Sequence, residues 1–175
     1  MSWLRVLLGV ALIVTALLLQ LTVLPFLNLP GAVPDLVAVT VIAIAAVAGP
    51  VRGAVIGFIA GVLIDLAPPA IGLIGVSALV LVIVGYVTGL VAFKRDRAPV
   101  VLVGVAGLLA SGSVLVSAAV AGIVGDPHVS WDRVPVVVVT ELVYSMLLAA
   151  FVVPAVAWLW IRVAPPTTRY DTVRS

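Results

Sequence analysis

The sequence predicts an all-α membrane protein, folded as one compact bundle of six transmembrane helices. Composition and the spacing of the apolar stretches lead to this fold class, and the distribution of positive charge agrees with it. Of the 175 residues, 65% are hydrophobic and 9% are charged, and the mean hydropathy is +1.42. A soluble domain of this length needs more polar surface to cover its core. We therefore expect lipid to be the solvent of this chain, with backbone groups satisfied inside helices of roughly 20 apolar residues.

Six apolar stretches are long enough, or nearly long enough, to cross hydrocarbon about 30 Å thick. The first ends at Pro25 and has no small-residue cleavage motif, so we expect it to stay as an anchor rather than to be removed as a signal peptide. Proline and charged residues bound the later stretches. The predicted spans are residues 3–24, 35–48, 51–66, 71–93, 99–124 and 134–161, which form a bundle over residues 1–162 and leave a polar tail at 163–175.

The second and third spans are short, and Gly49, Pro50 and Arg52 separate them. A single fused crossing would bury Arg52 in lipid and send the later basic loop outside the cell, against the positive-inside rule. A re-entrant hairpin has the same parity as two crossings, but it leaves Arg52 in hydrocarbon at a cost of roughly 2.5–3.5 kcal/mol. We therefore expect two thin crossings.

Positive charge falls on one side of this six-span arrangement. Eight of the nine Lys and Arg residues share a side, and only Arg133 lies on the other. Because basic loops stay in the cytoplasm, both chain ends are predicted to be cytoplasmic. The strongest basic segment joins the fourth and fifth spans, where it sets topology and attracts anionic lipid; docking of a cytoplasmic protein is the alternative. Its basic residues are Lys94, Arg95 and Arg97.

Small residues recur along one face of the third span. Gly53, Gly57 and Gly61 are spaced four residues apart, and Asp65 follows at the same interval. Glycines at this spacing let two helix backbones approach closely, which matters in lipid because no hydrophobic force drives helices together there. The stripe predicts either helix packing within the chain or a binding seam for a partner helix.

Two acids, Asp35 and Asp65, lie at the outer ends of the hairpin made by the second and third spans. The hairpin would bring the two carboxyl groups near one another, where they could share a proton or bind a cation. The alternative is structural: Asp35 caps the second helix, and Asp65 accepts hydrogen bonds from loop amides after Ala67.

Glu141 lies seven residues into the sixth span, about 10 Å below the outer surface at 1.5 Å per residue. An acid at this depth requires a partner. Counting residues to the same depth on the other predicted helices finds further polar side chains, which predicts a polar layer. Ser145 shares the helix face of Glu141. This layer is interpreted as a hydrogen-bonded cluster, a contact with a partner helix, or a site for a small molecule or proton. Its predicted members are Gln20, Thr40, Ser77, Ser117, Glu141 and Tyr144.

Several kinds of chemistry are not indicated. The chain has no cysteine, which excludes disulfides and thiolate metal sites, and its single histidine, His128, has no second imidazole with which to bind a metal. A net charge of +2 is too small to predict a nucleic-acid partner. No GxSxG, HExxH or P-loop motif is present. We expect no enzymatic activity, no cofactor and no bound metal.

Short motifs follow one another between Pro34 and Leu90. They are Pro34-Asp35-Leu36, Gly49-Pro50 with Arg52-Gly53, the glycine-rich residues 57–66, Gly72, and Gly85-Tyr86 with Gly89. In this order they resemble the rod shape-determining protein MreD family of bacterial inner-membrane proteins. Chain length and the number of spans also agree with that family.

The resemblance implies a non-enzymatic integral membrane scaffold of the cell-wall elongation complex, acting in rod shape and peptidoglycan synthesis in the bacterial cytoplasmic membrane. The implied partners are an MreC-like bitopic protein, the actin-like MreB, RodA and a class B penicillin-binding protein. We expect the bitopic partner to bind at Gly57, Gly61 and Asp65.

The resemblance also implies a bundle similar to the substrate-binding membrane subunits of energy-coupling-factor transporters. The alternative function is therefore a small-molecule transporter subunit with Glu141, Gln20 and Ser77 as ligands. That similarity is one of fold, and fold does not fix function.

Overall fold

The computed structural model describes residues 3–27, 34–67, 75–93, 99–124 and 132–163, and these residues form an all-helical bundle. Each helix falls within or close to one of the six predicted spans. The largest difference is at α4, which begins at Val76 rather than at residue 71. The helices are α1 (Trp3–Thr22), α2 (Leu36–Ala48), α3 (Pro50–Leu66), α4 (Val76–Phe93), α5 (Pro99–Val124) and α6 (Val134–Val163), with a 3₁₀ turn at Leu24–Leu27.

Neighbouring helices α1 to α4 run in alternating directions. The end of α1 meets the start of α2, where Val37 bonds to Gln20, so these two helices are antiparallel. The chain turns back at Gly49, which has a φ of 90°, and only one residue separates α2 from α3. Helices α3 and α4 are also antiparallel, since Gly53 near the start of α3 contacts Gly85 in the second half of α4. The hairpin at Gly49 shows that α2 and α3 are two helices rather than one continuous helix.

The last two helices continue the alternation. Asp35 at the start of α2 bonds to Glu141 in the first half of α6, which makes α2 and α6 parallel. Helix α5 packs against α6, with Gly107 against Leu142. Only nine residues separate the two helices, too few to return along the roughly 39 Å of α5, so α5 and α6 are antiparallel. One end of the bundle, here called the arginine end, therefore holds Arg5, Arg52 and Arg162; the opposite, acidic end holds Asp35, Asp65, Asp132 and Arg133.

Helix α2 is the centre of the bundle. It contacts all five other helices, and every residue from Leu36 to Ala45 is buried. An apolar sequence with no polar face is typical of a helix surrounded on all sides. With 13 residues, α2 is about 20 Å long, shorter than the ~30 Å of a bilayer's hydrocarbon. The five helices that surround α2 are all longer than it is.

The outer surface of the bundle is apolar. Large side chains are strongly exposed on several helices, including Phe26 (85%), Ile123 (86%) and Phe151 (76%). Two helical segments, Leu4–Phe26 and Val134–Val163, are long and apolar enough to cross a membrane by themselves. The shorter apolar segments are Leu36–Ala48, Val76–Ala92 and Val103–Val116.

Candidate functional site

The start of α2 is the place where buried polar groups of three helices meet. Glu141 of α6 is only 1% exposed, and its Oε1 accepts two hydrogen bonds. The backbone N–H of Asp35 donates one at 3.0 Å, and the Ser145 hydroxyl donates the other at 2.7 Å. Ser145 lies one turn after Glu141 on the same helix face and is fully buried. Glu141, the acid that the sequence places inside the sixth predicted span, thus has hydrogen-bond partners within its own chain.

The remaining N–H groups at this helix start are also satisfied. Val37 N–H donates to Gln20 Oε1 of α1 at 2.9 Å, and Ala38 N–H donates to Asp35 Oδ1 at 2.9 Å. Leu36 N–H donates to the Pro34 carbonyl at 3.1 Å. A helix begins with four N–H groups that lack helical partners. Here side chains from α1 and α6, the cap residue and the preceding carbonyl bind all four.

The lengths of α2 and α6 explain why the cluster lies where it does. Glu141 is seven residues from the start of α6, which corresponds to about 10 Å, and α2 adds about 20 Å in the same direction. Together the two segments are about 30 Å long. The start of α2 is therefore about 10 Å inside the bundle, and Glu141 reaches it at that depth. The positive end of the α2 dipole favours the carboxyl oxygens gathered around it.

We call this cluster the α2 cap. It consists of Gln20, Asp35, Glu141 and Ser145. The Asp35 carboxyl also interacts with Gln20 and with Glu141, so the two acids lie close together. In this arrangement both acids accept hydrogen bonds from backbone amides, and they join α1, α2 and α6 at one point. Of the three interpretations of Glu141, the hydrogen-bonded cluster is the one that the structure contains.

The predicted polar layer is only partly correct. Gln20 and Glu141 both bind the start of α2, but the Thr40 hydroxyl donates to the Leu36 carbonyl of its own helix at 2.7 Å and stands apart. Ser77 is half-buried beside Gly61 in the α3–α4 interface. Equal depth did not bring these residues together because they face different neighbours around the bundle. Tyr144 is half-buried next to Ser145, and the side chain of Ser117 lies outside the described residues.

Sequence reasoning missed that Asp35 and Glu141 belong to one cluster. The available signal was the short length of α2, because a helix about 20 Å long leaves about 10 Å of hydrocarbon uncovered at one or both of its ends, and Glu141 lies at such a depth. The capping role of Asp35 itself is confirmed.

Asp65 has a separate set of partners. Its Oδ2 accepts from Gly75 N–H at 2.7 Å and from Ala78 N–H at 3.4 Å, so it binds the start of α4. Gly75 has a φ of 101°, in the left-handed region that glycine adopts easily. The expectation that Asp65 accepts from amides after Ala67 is confirmed. The two acids of the hairpin therefore hold two different helix starts, Asp35 that of α2 and Asp65 that of α4.

The glycine stripe of α3 packs against α4. A Cβ atom on Gly57 would overlap the Leu81 carbonyl, and one on Gly61 would overlap the backbone of Ala78. On Gly53 it would lie 2.5 Å from the carbonyl oxygen of Gly85. The contact is reciprocal, because a Cβ on Gly85 would overlap the Gly53 carbonyl. Backbone touches backbone along the whole stripe, as glycines at this spacing allow.

This contact decides between the two interpretations of the stripe. Helix packing within the chain is what the structure contains, and α4 covers Gly53, Gly57 and Gly61. The expectation that a partner helix binds at Gly57, Gly61 and Asp65 is therefore corrected. The glycines are buried under α4, and Asp65 is bonded to its first turn.

Several other predicted features lie outside the described residues. These include Lys94, Arg95 and Arg97 of the basic loop, His128, and the tail after residue 163. Within the described ranges, no group of three or more His, Cys, Asp or Glu side chains is arranged to hold a metal ion.

A family model described as rod shape-determining protein MreD matches residues 1–163. No curated protein and no solved structure matches the chain. The matched range covers all six helices and ends with α6.

Proposed function

The chain belongs to the rod shape-determining protein MreD family, and from that membership we propose that it is a non-enzymatic membrane scaffold of the bacterial cell-wall elongation complex. Membership makes it a rod-shape-determining membrane protein. The proposal adds that it supports peptidoglycan synthesis by holding other proteins of the complex in place. The match over the whole helical bundle is the observation that carries this proposal.

The proposed topology has six crossings in the cytoplasmic membrane, with the arginine end in the cytoplasm. Alternating helix directions and strongly exposed apolar side chains support it. So does the charge distribution, since Arg5, Arg52 and Arg162 share one end and basic residues favour the cytoplasmic side. A short α2 is compatible with this topology because the other helices surround it. Reporter fusions at residue 96 should report a cytoplasmic location, and an extracytoplasmic signal would contradict the topology.

The proposed partners are an MreC-like bitopic protein and, through it or beside it, MreB, RodA and a class B penicillin-binding protein. Since α4 covers the glycine stripe, a partner helix must use surface that is now exposed to lipid. Photo-crosslinking from one exposed position on each outer helix would locate that surface. Suitable positions are Leu18 of α1, Phe58 of α3, Leu79 of α4, Leu108 of α5 and Phe151 of α6, with buried Val41 of α2 as a negative control.

No observation favours the transporter-subunit alternative. Its proposed ligands Glu141 and Gln20 accept hydrogen bonds from the backbone of α2, and Ser77 lies beside Gly61 instead. A solute bound by these groups would have to replace hydrogen bonds that hold the start of the central helix.

Depletion of the protein in a rod-shaped host, followed by microscopy, tests the proposed function. We expect the cells to become round and wild-type protein expressed from a plasmid to restore rods. Cells that keep their shape but require an added nutrient would contradict the scaffold and favour transport.

A further inference from the structure

Helix α6 contains a proline in its second half. Pro154 lies inside the helix, which continues beyond it to Val163. Proline has no backbone N–H, so the carbonyl of Ala150, four residues earlier, lacks the donor that normally completes its helical hydrogen bond. Ala150 is about 24 Å from the start of α6 and about 20 Å from its end. A long apolar helix therefore has a carbonyl without its helical donor close to its middle.

This carbonyl lies on the outer face of α6. A helical carbonyl points along the axis toward the residue four positions later, which here is Pro154. Ala150, Pro154 and Ala155 are all exposed. The opposite face, with Ala149 and Val153, is buried in the bundle. The freed carbonyl therefore belongs to the side of α6 that faces away from the core.

Hydroxyl groups of α6 and of its neighbour α5 bind elsewhere. Those of Thr140 and Ser145 donate to other groups of α6, and those of Ser111 and Ser113 donate to carbonyls of α5. Residues 146–163 include no hydroxyl or carboxamide side chain. Lipid chains have no hydrogen-bond donor, and an unpaired backbone group in hydrocarbon is costly. This face of α6 therefore favours a donor from another polypeptide.

The surface around the carbonyl fits a helix. Ala150, Pro154 and Ala155 are small, whereas Phe151 and Trp158 beside them are large and are 76% and 53% exposed. A second helix can approach the α6 backbone at the small residues and pack against the two aromatic rings. Because a transmembrane helix uses its own backbone N–H groups internally, its donor must be a side chain. Ser, Thr, Asn and Gln supply such a donor without a charge.

We propose that this face of α6 binds a transmembrane helix of another protein, and that a Ser, Thr, Asn or Gln side chain of that helix donates to the Ala150 carbonyl. A second copy of the chain does not fit, because two α6 helices packed in the same orientation bring no such side chain to this depth. The inference rests on the proposed function, since a scaffold must bind a partner within the membrane. It adds the surface and the chemistry of the contact.

The test uses the full-length protein co-expressed with the MreC-like bitopic protein, and co-purification in mild detergent measures how much of that partner is recovered. Pro154→Ala restores the missing N–H and should lower recovery about fivefold, the effect of about one hydrogen bond between membrane helices. The matched control is Pro135→Ala, which changes a proline in the first turn of α6, where no carbonyl inside the helix is freed. The control should keep wild-type recovery. Equal recovery with both variants would overturn the proposal.

Changes in the partner identify the donor. Each Ser, Thr, Asn and Gln of the partner's transmembrane helix is replaced singly by Ala. The replacement that removes the donor should lower recovery of the partner by the wild-type chain, but lower it little further with Pro154→Ala, because both changes remove one hydrogen bond. These replacements leave the present chain intact, so they test the proposal even if Pro154→Ala does not fold. Full recovery after every replacement, or additive losses in the combined variants, would contradict the proposal.

Photo-crosslinking identifies the occupant of the surface. A photoreactive phenylalanine at Phe151 should capture the transmembrane segment of the partner, whereas capture of a second copy or of lipid alone would overturn the proposal. Capture of the partner only from other helices would overturn this surface and leave the scaffold intact; those positions are Leu18, Phe58, Leu79 and Leu108. Cells that keep their shape on depletion, although Phe151 captures the partner, would reject the scaffold function alone.

Discussion

The backbone N–H of Asp35 donates to Oε1 of Glu141 at 3.0 Å, which connects the start of the central helix to an acid about 10 Å along α6. The two residues are 106 positions apart in sequence. This bond allows a helix too short for the bilayer to begin inside the bundle without unpaired amide groups.

Glu141→Ala should destabilise the protein by about 1–3 kcal/mol, because the Asp35 N–H and the Ser145 hydroxyl would lose a buried acceptor. Glu141→Gln keeps Oε1 as an acceptor and should cost clearly less. Thermal unfolding in detergent measures both. Thr140→Ala is the control on the neighbouring position, since the Thr140 hydroxyl bonds only to carbonyls of its own helix, and it should leave the midpoint unchanged. Equal stability of the Glu141→Ala variant and wild type would show that the α2 cap adds nothing.

Gln20→Leu should also destabilise by about 1–3 kcal/mol, since Val37 N–H would be left without an acceptor. Gln20→Glu retains the Oε1 position and tests whether the oxygen alone is sufficient. The same unfolding measurement applies, with Thr15→Val on α1 as a control whose exposed hydroxyl bonds to Ala11 of its own helix. Combining Gln20→Leu with Glu141→Ala should cost less than the sum of the two changes, because both remove parts of one cluster. Strict additivity would indicate two independent sites.

Gly57→Ala should separate α3 from α4, because the added methyl group would overlap the Leu81 carbonyl. We expect a loss of roughly 1–3 kcal/mol or more, as for other overpacked interiors. Gly112→Ala of α5 is the matched control, since nothing lies within 4 Å of the added atom, and it should be tolerated. The readouts are the yield of monodisperse protein and the unfolding midpoint.

Co-purification with the bitopic partner distinguishes packing from binding in the Gly57→Ala variant. Partner recovery should fall only in proportion to the amount of folded protein. A fully folded variant that has lost its partner would restore the seam hypothesis for the stripe.

Asp65→Ala should cost about 1 kcal/mol, the usual effect of removing a helix cap, because Gly75 N–H and Ala78 N–H lose their shared acceptor. Hydrogen exchange should show faster exchange at the first turn of α4 and no change at the first turn of α2. Asp132→Ala, an exposed acid at the same end, serves as the control. Faster exchange at both helix starts would mean that the two acids act as one unit.

The sequence by itself determined the helical class of the protein, the approximate helix limits apart from the start of α4, and the positions where polar groups would need partners. Apolar runs, Pro25, Gly49 and Pro99 act locally, so the helix bounds follow from nearby residues. The depth of Glu141 followed from counting residues at 1.5 Å each. The motif order between Pro34 and Leu90 was enough to indicate the family that the match over residues 1–163 supports.

Only the tertiary structure decided which surfaces meet. Helix α2 is apolar on every side, so its sequence carries no signal of a buried face and could not show that it lies at the centre. The glycine stripe indicated close approach but not whether α4 or another protein would provide the opposite backbone. Residues at one depth, such as Thr40 and Glu141, can point in any direction around a bundle. Helix formation depends on neighbours in sequence, whereas the Asp35–Glu141 bond depends on how six helices are arranged around one another.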